Sequence, residues 1–236
     1  MRSGIKIIGF DADDTLWDNE TLFQAVEARY CALLAAIAPE REISAALFRT
    51  EMAHLNIYGF GVKSFTLSML ETALCLGGDR LPAATLTQII RLGQELLQAP
   101  VTLLPCVENV LQQLRRCYRL VLATKGDLID QERKLACSGL ADYFHHIEIM
   151  SDKRDDDYRK LFRHLDVVPS EFLMVGNSLK SDILPVLQLG GQAVYIPYHV
   201  TWKHEAEGLE NVDGFSFPRL DALTELPALL DSRNQG

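Results

Sequence analysis

The sequence predicts an α/β protein in which a parallel sheet is interrupted, after its first strand, by a block of helices. Three observations lead to this class. A short, isoleucine-rich run at 5–10 stands alone near the start, no strand-like run occurs from 18 to 100, and strand-like and helix-like segments alternate after Pro105. Such alternation is typical of a parallel sheet with helices on both faces.

The first hundred residues contain one predicted strand followed by predicted helices. IKIIGF at 5–10 is short and apolar, as a fully buried strand is, and it runs directly into aspartates. Residues 21–38 have the period of an amphipathic helix, with Asn19 as a plausible N-cap and Pro39 after its end. Further helical periods follow at about 42–56, 63–76 and 83–98.

The rest of the chain predicts the remainder of the sheet. Predicted strands lie at 119–124, 146–150, 172–176 and 193–197, with a last short strand near 213–217. Predicted helices lie between or after them, at about 106–117, 128–138, 156–165, 181–190 and 220–230. We therefore predict a core domain of residues 1–17 and 101–236 and an inserted helical domain of residues 18–100.

Composition excludes several classes of protein. The 236 residues include 23 Lys and Arg against 32 Asp and Glu, a formal net charge of −9, which argues against a general nucleic-acid or anionic-membrane binder. The five cysteines form no CxxC pair, so a disulfide framework or zinc site is not expected and a reducing cytoplasm is predicted. We find neither a signal peptide nor an apolar run of the ~20 residues that a membrane-spanning helix needs.

Polar side chains follow several of the predicted strands. Asp11 and Asp13 follow the first strand, Thr124 and Lys125 end the second, Lys153 follows the third, and Asn177 and Asp182 follow the fourth. Ligands of open parallel sheets bind beyond the carboxyl ends of the strands, so these groups are expected to converge. Carboxylate and amide oxygens suit a hard cation such as Mg²⁺, whereas hydroxyl, lysine and backbone N–H groups suit a phosphoryl group.

These residues resemble the four motifs of the haloacid dehalogenase (HAD) superfamily, in order and along the entire chain. Asp11-Ala12-Asp13-Asp14-Thr15 matches the DxDx(T/V) motif, and Thr124 and Lys153 match the second and third motifs. Gly176-Asn177-Ser178 through Asp182 resembles the fourth, GDSxxxD. The resemblance implies a Rossmann-like core and, for the inserted helices, a cap domain of the C1 type.

The resemblance also implies roles. Asp11 would attack phosphorus as a nucleophile, and Asp13 would protonate the leaving group and then deprotonate water. Thr124 and Lys153 would bind the phosphoryl group, with Lys125 as an alternative to Lys153. Asp11, Asp13 (through its backbone carbonyl), Asn177 and Asp182 would hold Mg²⁺. The sequence departs from the family at Asn177, where an acid is usual, and this predicts weaker metal binding or a larger share for Asp182.

The sequence thus predicts a Mg²⁺-dependent phosphatase that acts on a small phosphorylated metabolite, with a cap that closes over the site. Phe60 and Lys63, beside Gly59 and Gly61 in the helical insert, are candidates for substrate selection. Asp13 argues against a 2-haloacid dehalogenase or a phosphonatase, because halide needs no proton and both enzymes lack an acid at this position. A 2-haloacid dehalogenase or a phosphomutase of the same superfamily, or a protein that binds phosphate without turnover, remains an alternative, and the oligomeric state is not predicted.

Overall fold

A computed structural model describes residues 4–206 and 214–234, and within them it confirms the predicted α/β class. The strands are β1 (Ile7–Phe10), β2 (Arg119–Lys125), β3 (His146–Met150), β4 (Phe172–Gly176) and β5 (Gln192–Tyr195). The described strands form one parallel sheet in the order β3-β2-β1-β4-β5. Because β1 is central, its carboxyl end lies between those of β2 and β4.

Helices account for most of the other described residues. Before β2 they are α1 (Glu20–Leu33), α2 (Glu40–Tyr58), α3 (Val62–Gly77), α4 (Ala83–Leu97) and α5 (Val107–Leu114). After β2 they are α6 (Leu128–Ser138), α7 (Asp155–His164), α8 (Leu184–Gln188), α9 (Lys203–Ala206) and α10 (Leu226–Asn234). None of these helices in the described part of the chain combines the length and apolar character required to cross a bilayer.

Strand alternation assigns the sheet residues to two apolar layers. On one face Ile8, Phe10 and Leu122 pack with residues of α5 and α10. On the other face Ile7 and Val121 pack with residues of α7 and α8. Burial on both faces explains why β1 and β4 read as continuous apolar runs in the sequence.

The Cα positions divide the chain into two compact units. Of the described residues, one unit contains 4–20, 101–125, 133–206 and 214–234, and the other contains 21–100 together with 126–132. The second unit has its own apolar core, which includes Tyr30, Leu47 and Met69. Its described residues form helices and connecting turns with no strand among them, as the absence of strand-like sequence predicts.

Besides shifts in the bounds of other elements, one predicted helix ends early and one predicted strand is not observed among the described residues. Helix α1 ends at Leu33 instead of near residue 38, because the chain tightens into turns before Pro39, with backbone bonds such as Ile37 N–H to Leu34 O at 2.8 Å. The strand predicted near 213–217 does not form: residues 214–217 lie outside any strand, and residue 213 is outside the described residues. Instead, Arg219 makes an isolated parallel bridge with Tyr195.

Candidate active site

The central feature of the candidate site is Lys153, which lies between two carboxylates. Lys153 comes from the loop after β3, and its ammonium donates to Asp11 Oδ1 and, at 2.7 Å, to Asp182 Oδ1. Asp11 follows β1, and its N–H donates to Val175 O of β4 at 2.9 Å, which extends the sheet by one residue. Lys153 and Asp182 are 2% and 1% exposed, so water screens this ion triad very little.

Burial sets the electrostatics of this triad. Burial raises the pKa of Asp11 to about 7; Lys153 opposes this shift and the neighbouring Asp182 adds to it. Burial alone would lower the pKa of Lys153, but Asp11 and Asp182 hold it above the usual range. The Asp11 and Asp182 carboxylates therefore share the single Lys153 ammonium. The space beside these two carboxylates favours the binding of further positive charge.

The turn after β4 brings Asp182 and Asn177 to the triad. Asp182 Oδ2 accepts a hydrogen bond from Ser178 N–H at 3.0 Å, within a turn that continues into π-type helical hydrogen bonding over Leu179–Ile183. Gly176 is required here because a Cβ at this position would overlap the Asp182 carboxylate. The Thr15 hydroxyl lies 3.2 Å from both Asp11 Oδ2 and Asn177 Oδ1, which brings the amide oxygen beside the triad.

Asp13 has a separate set of partners. Its Oδ1 accepts from Trp17 Nε1 at 2.6 Å, and the Lys134 ammonium lies 3.0 and 3.1 Å from its two carboxylate oxygens. Lys134 also donates to Asn19 Oδ1 at 2.7 Å. Three N–H contacts thus fix the orientation of the Asp13 carboxylate. Sequence reasoning did not identify Lys134, since it lies in the middle of α6 with no motif around it.

Asp14, which had no role in the sequence analysis, caps the first helix. Its carboxylate accepts from the backbone N–H groups of Asn19 and Glu20 at 2.9 and 3.0 Å, at the point where α1 begins. Its backbone is left-handed, with φ of 63°, a conformation that aspartate tolerates better than most residues. Asp14 therefore fixes the loop that carries Asp11 and Asp13.

Thr124 and Lys125, at the end of β2, have surroundings different from those of the Lys153 triad and of Asp13. Thr124 is buried at the carboxyl end of the strand. The Lys125 ammonium donates to Ser181 Oγ at 2.8 Å and pairs with the Glu205 carboxylate, which also accepts from Ser178 and Ser181. Burial would raise the pKa of Glu205, but Lys125 and the serine hydroxyls lower it to about 2. Glu205 lies in α9 and no sequence motif indicated it.

The two candidate specificity residues belong to the helical unit. Gly59 and Gly61 both have positive φ, and Phe60 between them is partly buried. Lys63 lies in the first turn of α3, with its ammonium 2.9 and 3.0 Å from the Asp127 carboxylate oxygens. Partial burial alone would raise the pKa of Asp127, but Lys63 and backbone N–H groups hold it below the usual value.

Comparison with known proteins agrees with the resemblance seen in the sequence motifs. A model of haloacid dehalogenase-like hydrolases matches residues 5–190. A haloacid dehalogenase-like family hydrolase from Xanthomonas campestris superposes with a TM-score of 0.87 and 34% identity, over 98% of this chain and 93% of that chain.

Two of the matching curated relatives are named as phosphatases. N-acylneuraminate-9-phosphatase of Rattus norvegicus is 30% identical over 139 residues, 56% of this chain and 53% of the relative. Glyceraldehyde 3-phosphate phosphatase of Pyrococcus furiosus is 27% identical over 129 residues, 52% of this chain and 51% of the relative. The chain thus spans about half the length of the curated relatives it matches. The family model, by contrast, spans most of the chain, and the chain belongs to the haloacid dehalogenase-like hydrolase family.

Proposed function

We propose that this chain is a Mg²⁺-dependent phosphatase that hydrolyses a small phosphorylated metabolite through an aspartyl-phosphate on Asp11. The observation that carries the proposal is the triad of Asp11, Lys153 and Asp182, buried at the carboxyl ends of the sheet. A buried carboxylate beside a lysine can approach an anionic phosphoryl group, because the ammonium offsets the repulsion between them.

The reaction has two steps. In the first, an Asp11 carboxylate oxygen forms a bond to phosphorus, the ester P–O bond breaks, and Asp13 gives a proton to the departing alkoxide. In the second, Asp13 takes a proton from water as the water oxygen attacks phosphorus, and the bond between phosphorus and Asp11 breaks. Thr124 and Lys153 bind the phosphoryl oxygens in both steps, while Lys134 and Trp17 keep Asp13 in place.

The donor set fits a hard divalent cation. The side-chain oxygens of Asp11, Asn177 and Asp182, together with the Asp13 carbonyl, would hold Mg²⁺, and two buried carboxylates sharing one lysine favour added positive charge. When bound, Mg²⁺ supplies charge neutralisation at the phosphoryl group.

The names of the relatives support the substrate class. An N-acylneuraminate 9-phosphate and glyceraldehyde 3-phosphate are both small phosphate monoesters of polyhydroxy carbon chains. Asp13 favours such esters over halides, since an alkoxide leaving group needs the proton that a halide does not. Phe60 and Lys63 remain the proposed specificity residues, and we retain residues 18–100 as the proposed cap and the cytoplasm as the proposed location.

The test is release of phosphate from p-nitrophenyl phosphate and from a panel of sugar and triose phosphates. We expect turnover with Mg²⁺, none with EDTA, and a loss on the order of 10⁴-fold or more in Asp11→Asn. Asp142→Asn, an exposed aspartate, is the matched control and should match the wild type. Undiminished turnover in Asp11→Asn would overturn the covalent mechanism, and activity on chloroacetate but not on phosphate esters would indicate a dehalogenase.

Asn177 supports one alternative function, phosphate binding without turnover. An amide brings no charge to the position where the family usually has an acid. If the protein binds inorganic phosphate in calorimetry but none of the panel is hydrolysed, this alternative replaces the phosphatase.

A further inference from the structure

Two histidines and a glutamate meet on the edge strand β3, away from its catalytic end. His146 and Glu148 are two residues apart in the strand, so their side chains project from the same face. Their partners in β2 are Val121 and Ala123, which pack with residues of α7 on that face. His164 is the last residue of α7 and reaches the same place.

The three side chains contact one another directly. His146 Nε2 lies 2.8 Å from Glu148 Oε2, and His164 Nδ1 lies 3.2 Å from the same oxygen. All three potential ligand atoms lie within 4.8 Å of one another. Tetrahedral zinc sites have bonds near 2.0–2.2 Å, which places neighbouring ligand atoms about 3.3 Å apart. Small side-chain rotations would therefore suffice to place all three atoms around one ion.

We propose that His146, Glu148 and His164 bind one divalent transition-metal ion of the zinc class, with water in the remaining position. Two imidazole nitrogens and one carboxylate oxygen suit Zn²⁺, Co²⁺ or Ni²⁺ and do not suit Mg²⁺, which prefers oxygen ligands. The site joins the last turn of α7 to the edge of the sheet. It shares no residue with the candidate active site, so it stands whether or not the protein is a phosphatase.

Electrostatics support the ligand set. Partial burial would raise the pKa of Glu148, but hydrogen bonds from His146 and His164 hold it below the usual value. The ionised carboxylate can only accept hydrogen bonds, so each imidazole presents an N–H to it. On metal binding each imidazole would carry its proton on the other ring nitrogen, so that the nitrogen now facing Glu148 offers its lone pair to the ion, and the carboxylate is already in the form that coordinates.

The experiment titrates Co²⁺ into tag-free, chelator-treated protein, with Mg²⁺ at saturation to occupy oxygen-rich sites. Visible d–d absorption reports Co²⁺ coordination, and calorimetry with Zn²⁺ reports affinity. We expect one equivalent to bind, and binding at least about tenfold weaker in His164→Ala, since loss even of an outer-shell group costs that much. His145→Ala is the matched control, because His145 is adjacent to His146 but exposed and outside the cluster.

A second readout is thermal stability. Zn²⁺ bound to the native state should raise the melting temperature of the wild type and of His145→Ala, and at the same Zn²⁺ concentration it should raise that of His164→Ala and of Glu148→Gln by less. His164 is largely exposed at a helix end, so its loss leaves the core intact. Equal binding by His164→Ala and the wild type would overturn the proposal. So would binding that is lost in Asp11→Asn instead, which would place the ion at the active site.

Discussion

Asp11 and Asp13 are two residues apart, yet their surroundings differ in almost every respect. Asp11 is buried at the end of the central strand, where Lys153 joins it to Asp182. Asp13 is only partly buried and is held by Lys134 and by the indole of Trp17. Each aspartate thus has its own lysine, supplied by a different part of the chain.

The difference suits the two proposed roles. A nucleophile benefits from burial, because its oxygen must be desolvated and aligned with phosphorus. A group that exchanges protons with a leaving group and with water needs access to both, together with a fixed orientation. Asp14 holds the chain directly after Asp13, since its left-handed backbone and its bonds to the first turn of α1 fix the loop that leads from Asp13 to the helix.

The largest effect is expected from removing the lysine of Asp11. Lys153→Met leaves two buried carboxylates without their shared cation. Activity should fall about 10²–10³-fold, and the free energy of unfolding at pH 8 should fall by about 3–5 kcal/mol. The folded-state pKa of Asp11 is raised to about 7 even with Lys153 beside it, and loss of the lysine removes a cause that lowers it, so at pH 5 the carboxyl binds a proton and the repulsion is relieved. The stability deficit should therefore be smaller at pH 5 than at pH 8, measured by urea unfolding.

The control for this change is Lys160→Met. Lys160 makes an exposed pair with Asp157 on α7, and such pairs contribute little, so stability should change by less than about 1 kcal/mol at either pH. A deficit in Lys153→Met that is independent of pH would contradict the electrostatic explanation and indicate lost packing instead.

Removing the lysine of Asp13 should have a smaller and more selective effect. Lys134→Met should lower kcat about 10²-fold for alkyl phosphates, whose alkoxide needs a proton. For p-nitrophenyl phosphate, whose leaving group is a weak base, the loss should be much smaller. Lys134→Arg, which retains the charge and the donors, should recover part of the activity.

A double variant tests whether Lys134 acts through Asp13. In an Asp13→Asn background, Lys134→Met should cause little further loss, because residues that act through one another are not additive. Equal losses on both substrates, or a change confined to KM, would contradict a role in positioning the proton donor.

The surroundings of Asp11 could be predicted from the sequence, whereas those of Asp13 could not. Asp11, Lys153 and Asp182 each follow a strand, and parallel strands bring their carboxyl ends together, so their convergence follows from the alternating pattern. Lys134 reaches Asp13 from the middle of a helix, which no local pattern indicates. Its role depends on how α6 packs against the loop after β1, and this is a tertiary property.

Glu205 and the histidine cluster also depend on tertiary packing that no local sequence pattern indicates. Glu205 belongs to α9, after β5, and it meets Lys125 and Ser181 only because the fold returns the chain to the site. His146 and His164 are eighteen positions apart and lie in elements of different type. Strand alternation alone would have placed His146 beside Glu148, but not the second histidine.

Lys125 forms a third lysine–carboxylate pair, with Glu205. Its removal tests whether Lys125 acts in stability or in phosphate binding. Lys125→Met should destabilise the fold at pH 7 by roughly 2–4 kcal/mol, because Glu205 stays buried without its cation. The pKa of Glu205 is lowered from 4.5 to about 2, so this stabilisation is present above pH 4.5 and is lost as the pH falls towards 2. Unfolding at pH 7 and pH 3 measures the difference. An increase of KM by tenfold or more would instead favour the phosphate contact predicted from the sequence.

The smallest effect is expected from replacing Asn177, which lies near Asp11. Asn177→Asp adds a carboxylate beside Thr15 and Asp11, and we expect the Mg²⁺ concentration for half-maximal activity to fall roughly tenfold, because ligand charge governs the affinity of such sites. Without Mg²⁺ the added charge faces two existing carboxylates, so the melting temperature should fall, and Mg²⁺ should restore it. Asn56→Asp adds the same charge at an exposed position in α2 and is the control. An unchanged Mg²⁺ titration in Asn177→Asp would show that this side chain is not a ligand, and Asp182 would then carry the metal site on the β4 side.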